Sequence, residues 1–153
     1  MYHKILVPLD GSELAECVLP HVEAIAKGCL VKNVIFMHVV EPFRLRSGEY
    51  AIKEEEEKRI DSGYQAAAES YLSQLVERLS YNGVNVQAEA ISGSVAPTIA
   101  DYAADNEVDL IIMATHGRSG VSRWVWGSVA DRILHAACVP VLMVRAPGCV
   151  PDI

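Results

Sequence analysis

The residues of this 153-residue chain best suited to chemistry fall in two glycine-containing segments. The longer runs Ala114-Thr115-His116-Gly117-Arg118-Ser119-Gly120 and on to Gly127-Ser128, without a single acidic side chain between positions 114 and 128. Small side chains there let backbone N–H groups approach oxyanions closely. Arg118 and Arg123 can offset negative charge, and Gly127-Ser128 opens a segment of helical pattern whose first amides form an anion site. Each property suits a polyphosphate. His116 by itself reads as a solvated or hydrogen-bonded loop residue rather than a proton shuttle. The shorter segment is Pro8-Leu9-Asp10-Gly11-Ser12. Pro8 limits a strand, Gly11 lets the backbone turn sharply, and the Asp10 carboxylate can accept hydrogen bonds from ribose hydroxyls. Asp10 or Ser12 can equally cap the helix that follows, and the residue types alone leave both roles open.

Both segments follow apolar runs, so the elements that would position them can be read from the pattern. Ile5-Leu6-Val7-Pro8-Leu9 reads as a first strand. Residues 13–27 place Leu14, Val18, His21, Val22 and Ile25 at helical spacing, with Pro20 expected to kink that helix and Gly28 to stop it. The nearly unbroken apolar run at 34–40 is a strand covered on both faces. An irregular stretch at 41–47 precedes a long helix over 52–79, formed despite Gly63. Its four consecutive glutamates, Glu54 to Glu57, sit at the amino end, where carboxylates complement the helix dipole. Strict alternation over 84–91 predicts a half-exposed edge strand. Residues 97–106 predict a helix, 108–114 a strand apolar on both faces, 127–137 a last helix and 139–145 a last strand. Strand and helix alternate throughout, which calls for right-handed crossovers and a parallel sheet with helices on both sides. In such a sheet ligands bind beyond the carboxyl ends of the strands, and both glycine segments lie there.

Composition narrows the function classes. With 51% hydrophobic and 22% charged residues the chain can bury a substantial core, and its length suits one domain spanning 1–153. A net charge of −7 disfavours nucleic acid and anionic lipid as partners, and no apolar run reaches the roughly 20 residues needed to span a bilayer. A cytoplasmic location is the expectation, since the amino terminus runs into a strand without a signal-peptide core. Cys17, Cys29, Cys138 and Cys149 form no Cys-x-x-Cys pair and read as buried or idle thiols. His3, His21, His38 and His135 are too scattered to suggest metal ligands. Neither a Gly-x-x-x-x-Gly-Lys-Ser/Thr loop nor a Gly-x-Gly-x-x-Gly turn is present, and no nucleophile stands beside a base. No catalytic residue is assigned.

The chain resembles the universal stress proteins over essentially its whole length. The resemblance is carried by the opening Lys4-Ile5-Leu6-Val7-Pro8-Leu9-Asp10-Gly11-Ser12, by the strand end His38-Val39-Val40, and by the segment from Asp109 to Gly120 leading to Gly127-Ser128 and Val139-Pro140-Val141-Leu142-Met143-Val144. It implies an open, mostly parallel five-stranded α/β sheet, Rossmann-like and akin to the adenine nucleotide alpha hydrolases, with strand order 3-2-1-4-5. ATP-binding members carry Gly-x-x-Gly, nine residues, then Gly-Ser or Gly-Thr. Ala114, Gly117, Gly127 and Ser128 occupy the matching positions, with Ala114 replacing the first glycine. Its methyl group would obstruct the ligand if that position needs φ above zero or lies against phosphate. The resemblance implies that Asp10 contacts ribose, the backbone near Val39 faces adenine, Met113 lines the base or sugar, and Pro8 shapes the wall. Gly117, Gly127 and Ser128 would surround the phosphates, and Gly11, Ser12, Ala114, His116, Arg118, Gly120 and Val129 complete the expected nucleotide-binding set. The implied ligand is ATP, with AMP or ADP as alternatives, and Asp10 could help hold a magnesium ion on its phosphates. A homodimer paired through the last strand is also implied, and Val141, Leu142, Met143 and Val144 would otherwise leave an apolar edge. The tail from Pro147 to Ile153 is the alternative cover. The expected function is a nucleotide-dependent regulatory dimer of the stress response with a protein partner. A dimeric adaptor without nucleotide and a slow ATPase are the alternatives.

Overall fold

The computed structural model describes residues 2–44, 54–116 and 127–145. In chain order these form β1 (Lys4–Pro8), a 3-10 turn (Ala15–Val18), α1 (Leu19–Gly28), β2 (Asn33–Val40), α2 (Glu54–Arg78), β3 (Asn85–Ser92), α3 (Val95–Asp105), β4 (Leu110–Ala114), α4 (Ser128–Ala136) and β5 (Val141–Val144). The strands lie in the order β3-β2-β1-β4-β5, and every pairing is parallel.

Strand side chains alternate between two cores because successive Cβ atoms point to opposite faces. Ile5, Val7, Val34, Phe36, Ile112 and Ala114 face one way, against Val18 of the 3-10 turn, Val22 and Ala26 of α1, and Leu72 and Leu75 of α2. Leu6, Ile35, Met37, Ile111 and Met113 face the other, against Ala96, Ile99 and Ala103 of α3 and Ala130 and Ile133 of α4. Burying each of the larger side chains is worth about 1.5–3 kcal/mol, so the unbroken apolar runs of β1, β2 and β4 commit them to the middle of the sheet. β3 alternates and takes one edge. There Gln65 of α2 donates from Nε2 to the Ala90 carbonyl at 2.8 Å. Among the described residues no helix is long and apolar enough to cross a membrane.

One sequence expectation is corrected. Residues 13–27 do not form a single helix kinked at Pro20; the chain makes the 3-10 turn first, and Pro20 lies in the opening turn of α1. A proline there forgoes an amide that has no helical acceptor in any case. Ser12 causes the split, because its carbonyl accepts from Ala15 N–H at 3.1 Å and Glu16 N–H at 3.3 Å while its Oγ accepts from Ala15 N–H at 3.2 Å. Of the four cysteines, Cys17 and Cys29 are half-buried free thiols and Cys138 is an exposed one, while Cys149 lies outside the described residues.

At the amino ends of the strands, Asp109 Oδ2 accepts from the His3 and Lys4 N–H groups, both at 2.7 Å, and Lys4 Nζ donates to the Asn106 carbonyl at 2.6 Å. This clasp fixes β1 beside β4. The His3 amide first, helped by the Lys4 amide, holds the Asp109 carboxyl below its ordinary range against an opposing effect of burial that is second only to the His3 bond. A carboxylate with a depressed folded pKa stabilises the fold above its unfolded value, and that contribution disappears as pH falls through the folded value. Replacing Asp109 with Ala is expected to cost about 1–2 kcal/mol, moderated by the carboxylate's partial exposure, and to flatten the acid limb of stability below about pH 4. Urea melts of both proteins between pH 2 and pH 7 check this. An unchanged acid limb would count against the clasp.

Candidate functional site

The order β3-β2-β1-β4-β5 has one switch point, between β1 and β4, where the chain leaves one half of the sheet for the other. Ile5 pairs with Leu110 and Leu6 with Ile111. Continuing that offset sets Asp10 level with Thr115, so the ends of β1 and β4 lie side by side. β4 also packs against the 3-10 turn that follows Ser12. Ligand crevices of open parallel sheets form at such points, because connections diverge to opposite faces and leave a gap.

One wall is the turn after β1. Gly11 has φ +81°, a conformation side chains resist. Ser12 donates to Asp10 Oδ1 twice, from its N–H at 2.9 Å and from its hydroxyl at 2.6 Å. Asp10 therefore orders its own turn, and Ser12 caps the 3-10 turn through Ala15. The capping role left open by the sequence is thus realised, and the carboxylate is fixed in place at the mouth of the crevice. Pro8 ends β1 opposite Met37.

The second wall is the end of β2. Leu9 N–H donates to the Met37 carbonyl at 2.8 Å, which identifies Met37 as a residue whose backbone groups point toward β1. Strand periodicity turns the N–H and C=O of Val39 the same way. By then the chain after β1 has veered off at Gly11, so these groups face the crevice. The next carbonyl, of Val40, points the other way and accepts from Gly93 N–H at 2.9 Å.

The floor and far wall come from the end of β4 and the start of α4. Met113 is buried in the core against α3 and α4, beneath the crevice. Ala114 is also buried, in the opposite core cluster, which includes Leu9, Ala15 and Val144. It is a strand residue paired with Val144 and is not among the residues of positive φ. The obstruction that a left-handed conformation would have caused does not arise. Thr115 N–H donates to the Val144 carbonyl at 2.8 Å, and its Oγ1 lies 3.0 Å from His116 Nδ1. His116 is therefore a half-buried, hydrogen-bonded loop residue. Gly127 N–H returns to the Thr115 carbonyl at 3.0 Å and closes the loop at its base. A Cβ at Gly127 would stand 2.9 Å from that carbonyl oxygen. Gly127 is the amino-terminal cap of α4, without a side-chain capping bond; its carbonyl accepts from Asp131 N–H at 3.0 Å. The amides of Ser128 and Val129 come earlier than the first helical bond and have no acceptor within the helix. Gly117, Arg118, Gly120 and Arg123 lie outside the described residues.

The structure thus brings Pro8, Asp10, Gly11, Ser12, Val39, Ala114, His116, Gly127, Ser128 and Val129 around the carboxyl ends of β1, β2 and β4. Val141 and Met143 of β5 pack toward the core, Val144 is buried and Leu142 is exposed on a strand whose outer side pairs with no other strand among the described residues. The tail at 146–153 lies outside the described residues. Two contributors have no signal in the sequence. Asp61 of α2 accepts from Phe43 N–H at 2.7 Å just past β2, and Glu16, within the 3-10 turn, accepts from the Tyr71 hydroxyl at 3.0 Å and Arg78 Nη2 at 2.8 Å.

A doubly wound, Rossmann-like α/β protein with its crevice at the switch point is what this architecture defines. The sequence pattern of the Universal stress protein family matches residues 1–145, and the chain belongs to that family. It is 31% identical to Universal stress protein MJ0577 of Methanocaldococcus jannaschii over 156 aligned positions, covering 95% of this chain and 96% of that protein. The solved structure of MJ0577 superposes with a TM-score of 0.82 at 32% identity, covering 97% of this chain and 99% of that one. Universal stress protein UspA from Lactobacillus plantarum gives a TM-score of 0.78 at 25% identity, covering 94% and 98%. At the level of fold alone, the likeness extends to an Arabidopsis thaliana family member solved with AMP bound, with a TM-score of 0.64, 15% identity and coverage of 95% and 93%.

Because the Gly127 Cβ position abuts backbone rather than a movable side chain, Gly127→Ala is expected to break the Gly127–Thr115 bond and cost about 1–2 kcal/mol. Ser128→Ala, at an exposed side chain without a capping bond, should change stability by less than about 0.5 kcal/mol. Denaturant melts of the two variants check this contrast, and equal stabilities would remove the steric role assigned to Gly127.

Proposed function

We propose that this protein binds an adenine nucleotide in the switch-point crevice, ATP in the first instance with AMP or ADP as alternatives, and acts as a nucleotide-dependent regulatory dimer of the stress response. The observation that carries the reading is the closed base of the loop after β4. Gly127 N–H bonded to Thr115 O holds the start of α4 at the end of β4, and in this reading the first amides of α4 face the space beside Asp10. Backbone amides at a helix start attract phosphate oxygens, and the Arabidopsis relative with AMP bound is consistent with such a ligand. In this reading Asp10 holds ribose, directly or with a phosphate-bound magnesium ion, and Gly117, Gly127, Ser128 and Val129 surround the phosphates. Arg118, Gly120, Gly11, Ser12 and His116 line the same space, with Pro8, Met113 and Ala114 forming its walls and floor.

Val39 accounts for a preference among bases. A carbonyl beside an N–H in one strand residue can accept from the adenine amino group and donate to the neighbouring ring nitrogen, whereas guanine presents the opposite donor and acceptor order. The regulatory role rests on the lack of a nucleophile–base pair in the sequence, so slow hydrolysis is at most incidental. Dimerisation through Val141, Leu142, Met143 and Val144 is supported by the edge position of β5 and the exposure of Leu142. A protein partner, a cytoplasmic location and a single domain over 1–153 complete the proposal.

The dimeric adaptor without nucleotide is the second reading, favoured by the two bonds from Ser12 that already occupy Asp10 Oδ1. Calorimetric titration of nucleotide-free protein with ATP and magnesium separates the two. Saturable heat that disappears in Gly127→Val is expected, and no binding at millimolar nucleotide would leave the adaptor standing. Mass spectrometry of freshly purified protein identifies any nucleotide carried through preparation.

A further inference from the structure

Among the described residues, α2 bonds to both segments that wall the crevice, the one after β1 and the one after β2. The wall after β1 is a 3-10 turn entered through bonds to Ser12 O from Ala15 N–H (3.1 Å) and Glu16 N–H (3.3 Å) and from Cys17 N–H to Leu14 O (3.4 Å). Such turns hold poorly by themselves. Its external tether is Glu16, gripped at one oxygen by the Tyr71 hydroxyl (3.0 Å) and at the other by Arg78 Nη2 (2.8 Å). The wall after β2 is the stretch from Glu41 to Arg44, which has no regular structure. Its tether is the 2.7 Å bond from Phe43 N–H to Asp61 Oδ1. Asp61, Tyr71 and Arg78 all belong to α2. Asp61 and Tyr71 are ten residues apart, about 15 Å along a helix, and the helix between them is anchored by Ala68, buried on the sheet, and by the bond from Gln65 to Ala90 O.

We infer that α2 sets the spacing of the crevice, with Asp61 and Tyr71 as positioning residues: Asp61 fixes the chain leaving Val39 and Tyr71, through Glu16, fixes the turn that carries Asp10. Neither touches the ligand. Two further observations place Tyr71 beside the site. His38, next to Val39, sets its ring edge-on to Tyr71 with centroids 6.2 Å apart. Burial, and after it the hydrogen bond to Glu16 and the charges of Glu16 and Asp10, push the Tyr71 phenol well above its ordinary pKa, so it remains a proton donor at all physiological pH. The inference rests on the adenine-nucleotide reading for its ligand but not for its mechanics.

The two walls contact different parts of a nucleotide, so their tethers have separable effects. Loosening the wall near Val39 blurs base selection, whereas loosening the turn at Asp10 weakens every nucleotide alike. Titration calorimetry with ATP and with GTP, both with magnesium, and amide hydrogen exchange on the same proteins test this. Asp61→Ala is expected to weaken ATP about three- to tenfold and GTP by less, with faster exchange in the 41–44 stretch. Asp61→Asn, which keeps an acceptor oxygen, should restore both. Tyr71→Phe keeps the ring and is expected to weaken ATP and GTP by the same factor and to quicken exchange across residues 11–18. Wild-type discrimination and exchange in both variants would overturn the inference, as would equal losses on both nucleotides accompanied by faster exchange throughout β1 and β2. If the wild-type protein binds neither nucleotide, the adenine-nucleotide reading falls, and the exchange data alone decide whether α2 holds the two walls.

Discussion

Thr115 carries three constraints in one buried residue. Its N–H is bound to Val144 at the sheet's outer strand, its carbonyl receives the N–H of Gly127, and that carbonyl leaves only 2.9 Å for any side chain at position 127. The first bond ends β4 in register with β5. The second brings the chain back, twelve residues later, to where it left, so that α4 starts over the switch point instead of beyond it. The third makes glycine a steric requirement there, independent of any ligand. An acceptor that was shifted or absent would free the start of α4 to drift from the end of β4. The geometry of the crevice therefore depends on a backbone contact more than on its polar side chains.

That dependence explains which parts of the site could be read from sequence. β1, β2 and β4 were legible because strands buried on both faces must be apolar without a break, and Ile5-Leu6-Val7 or Leu110-Ile111-Ile112 admit no other placement. β3 was legible for the opposite reason, since its alternation fits only a face that is partly wet. The acidic start of α2 and the turn at Gly11 were also local statements, and each is found where its local chemistry puts it. What escaped were bonds between segments distant in sequence. The carboxylate of Asp109 reaches amides more than a hundred residues away, and Asp61 and Tyr71 reach the crevice walls from a helix with no motif. A solvated helix carries many Asp and Tyr residues, and nothing in their spacing marks the ones that bind backbone elsewhere. The division of residues 13–27 was missed for a related reason: Ser12 can accept with its carbonyl and hydroxyl together, and helical periodicity is blind to that choice.

Ala114 illustrates how a departure from a family pattern should be weighed by its backbone. A glycine in a binding motif can serve three ends: a left-handed conformation, room for a neighbouring chain, or room for a ligand. The strand conformation of Ala114 removes the first, and its methyl group, in the buried cluster that includes Leu9, Ala15 and Val144, satisfies the second. Only the third concerns the ligand, and the methyl belongs to the buried cluster on the α1 side of the sheet. The substitution adds packing to a core that already contains it. Gly127 is the contrasting case, where the space is taken by a carbonyl oxygen that no side-chain motion can vacate.

The charge balance sharpens what such a crevice must do for an anion. The chain carries a net charge of −7, and Asp10 adds a carboxylate at the mouth itself. Long-range steering of a polyphosphate is therefore unfavourable, although it is screened beyond about 8 Å at physiological ionic strength. In composition the segment between positions 114 and 128 has the opposite balance, with no acidic residue and two arginines. Backbone amides at the start of α4 act over a shorter range still and fade within the first helical turn. Under the nucleotide reading proposed above, a ligand is selected by the fit of its phosphates to a few fixed donors after it has arrived, not by attraction on the way in. Rigid spacing of the walls matters more under those conditions than added positive charge would, which is why the tethers from α2, remote from any ligand atom, belong to the physics of the site.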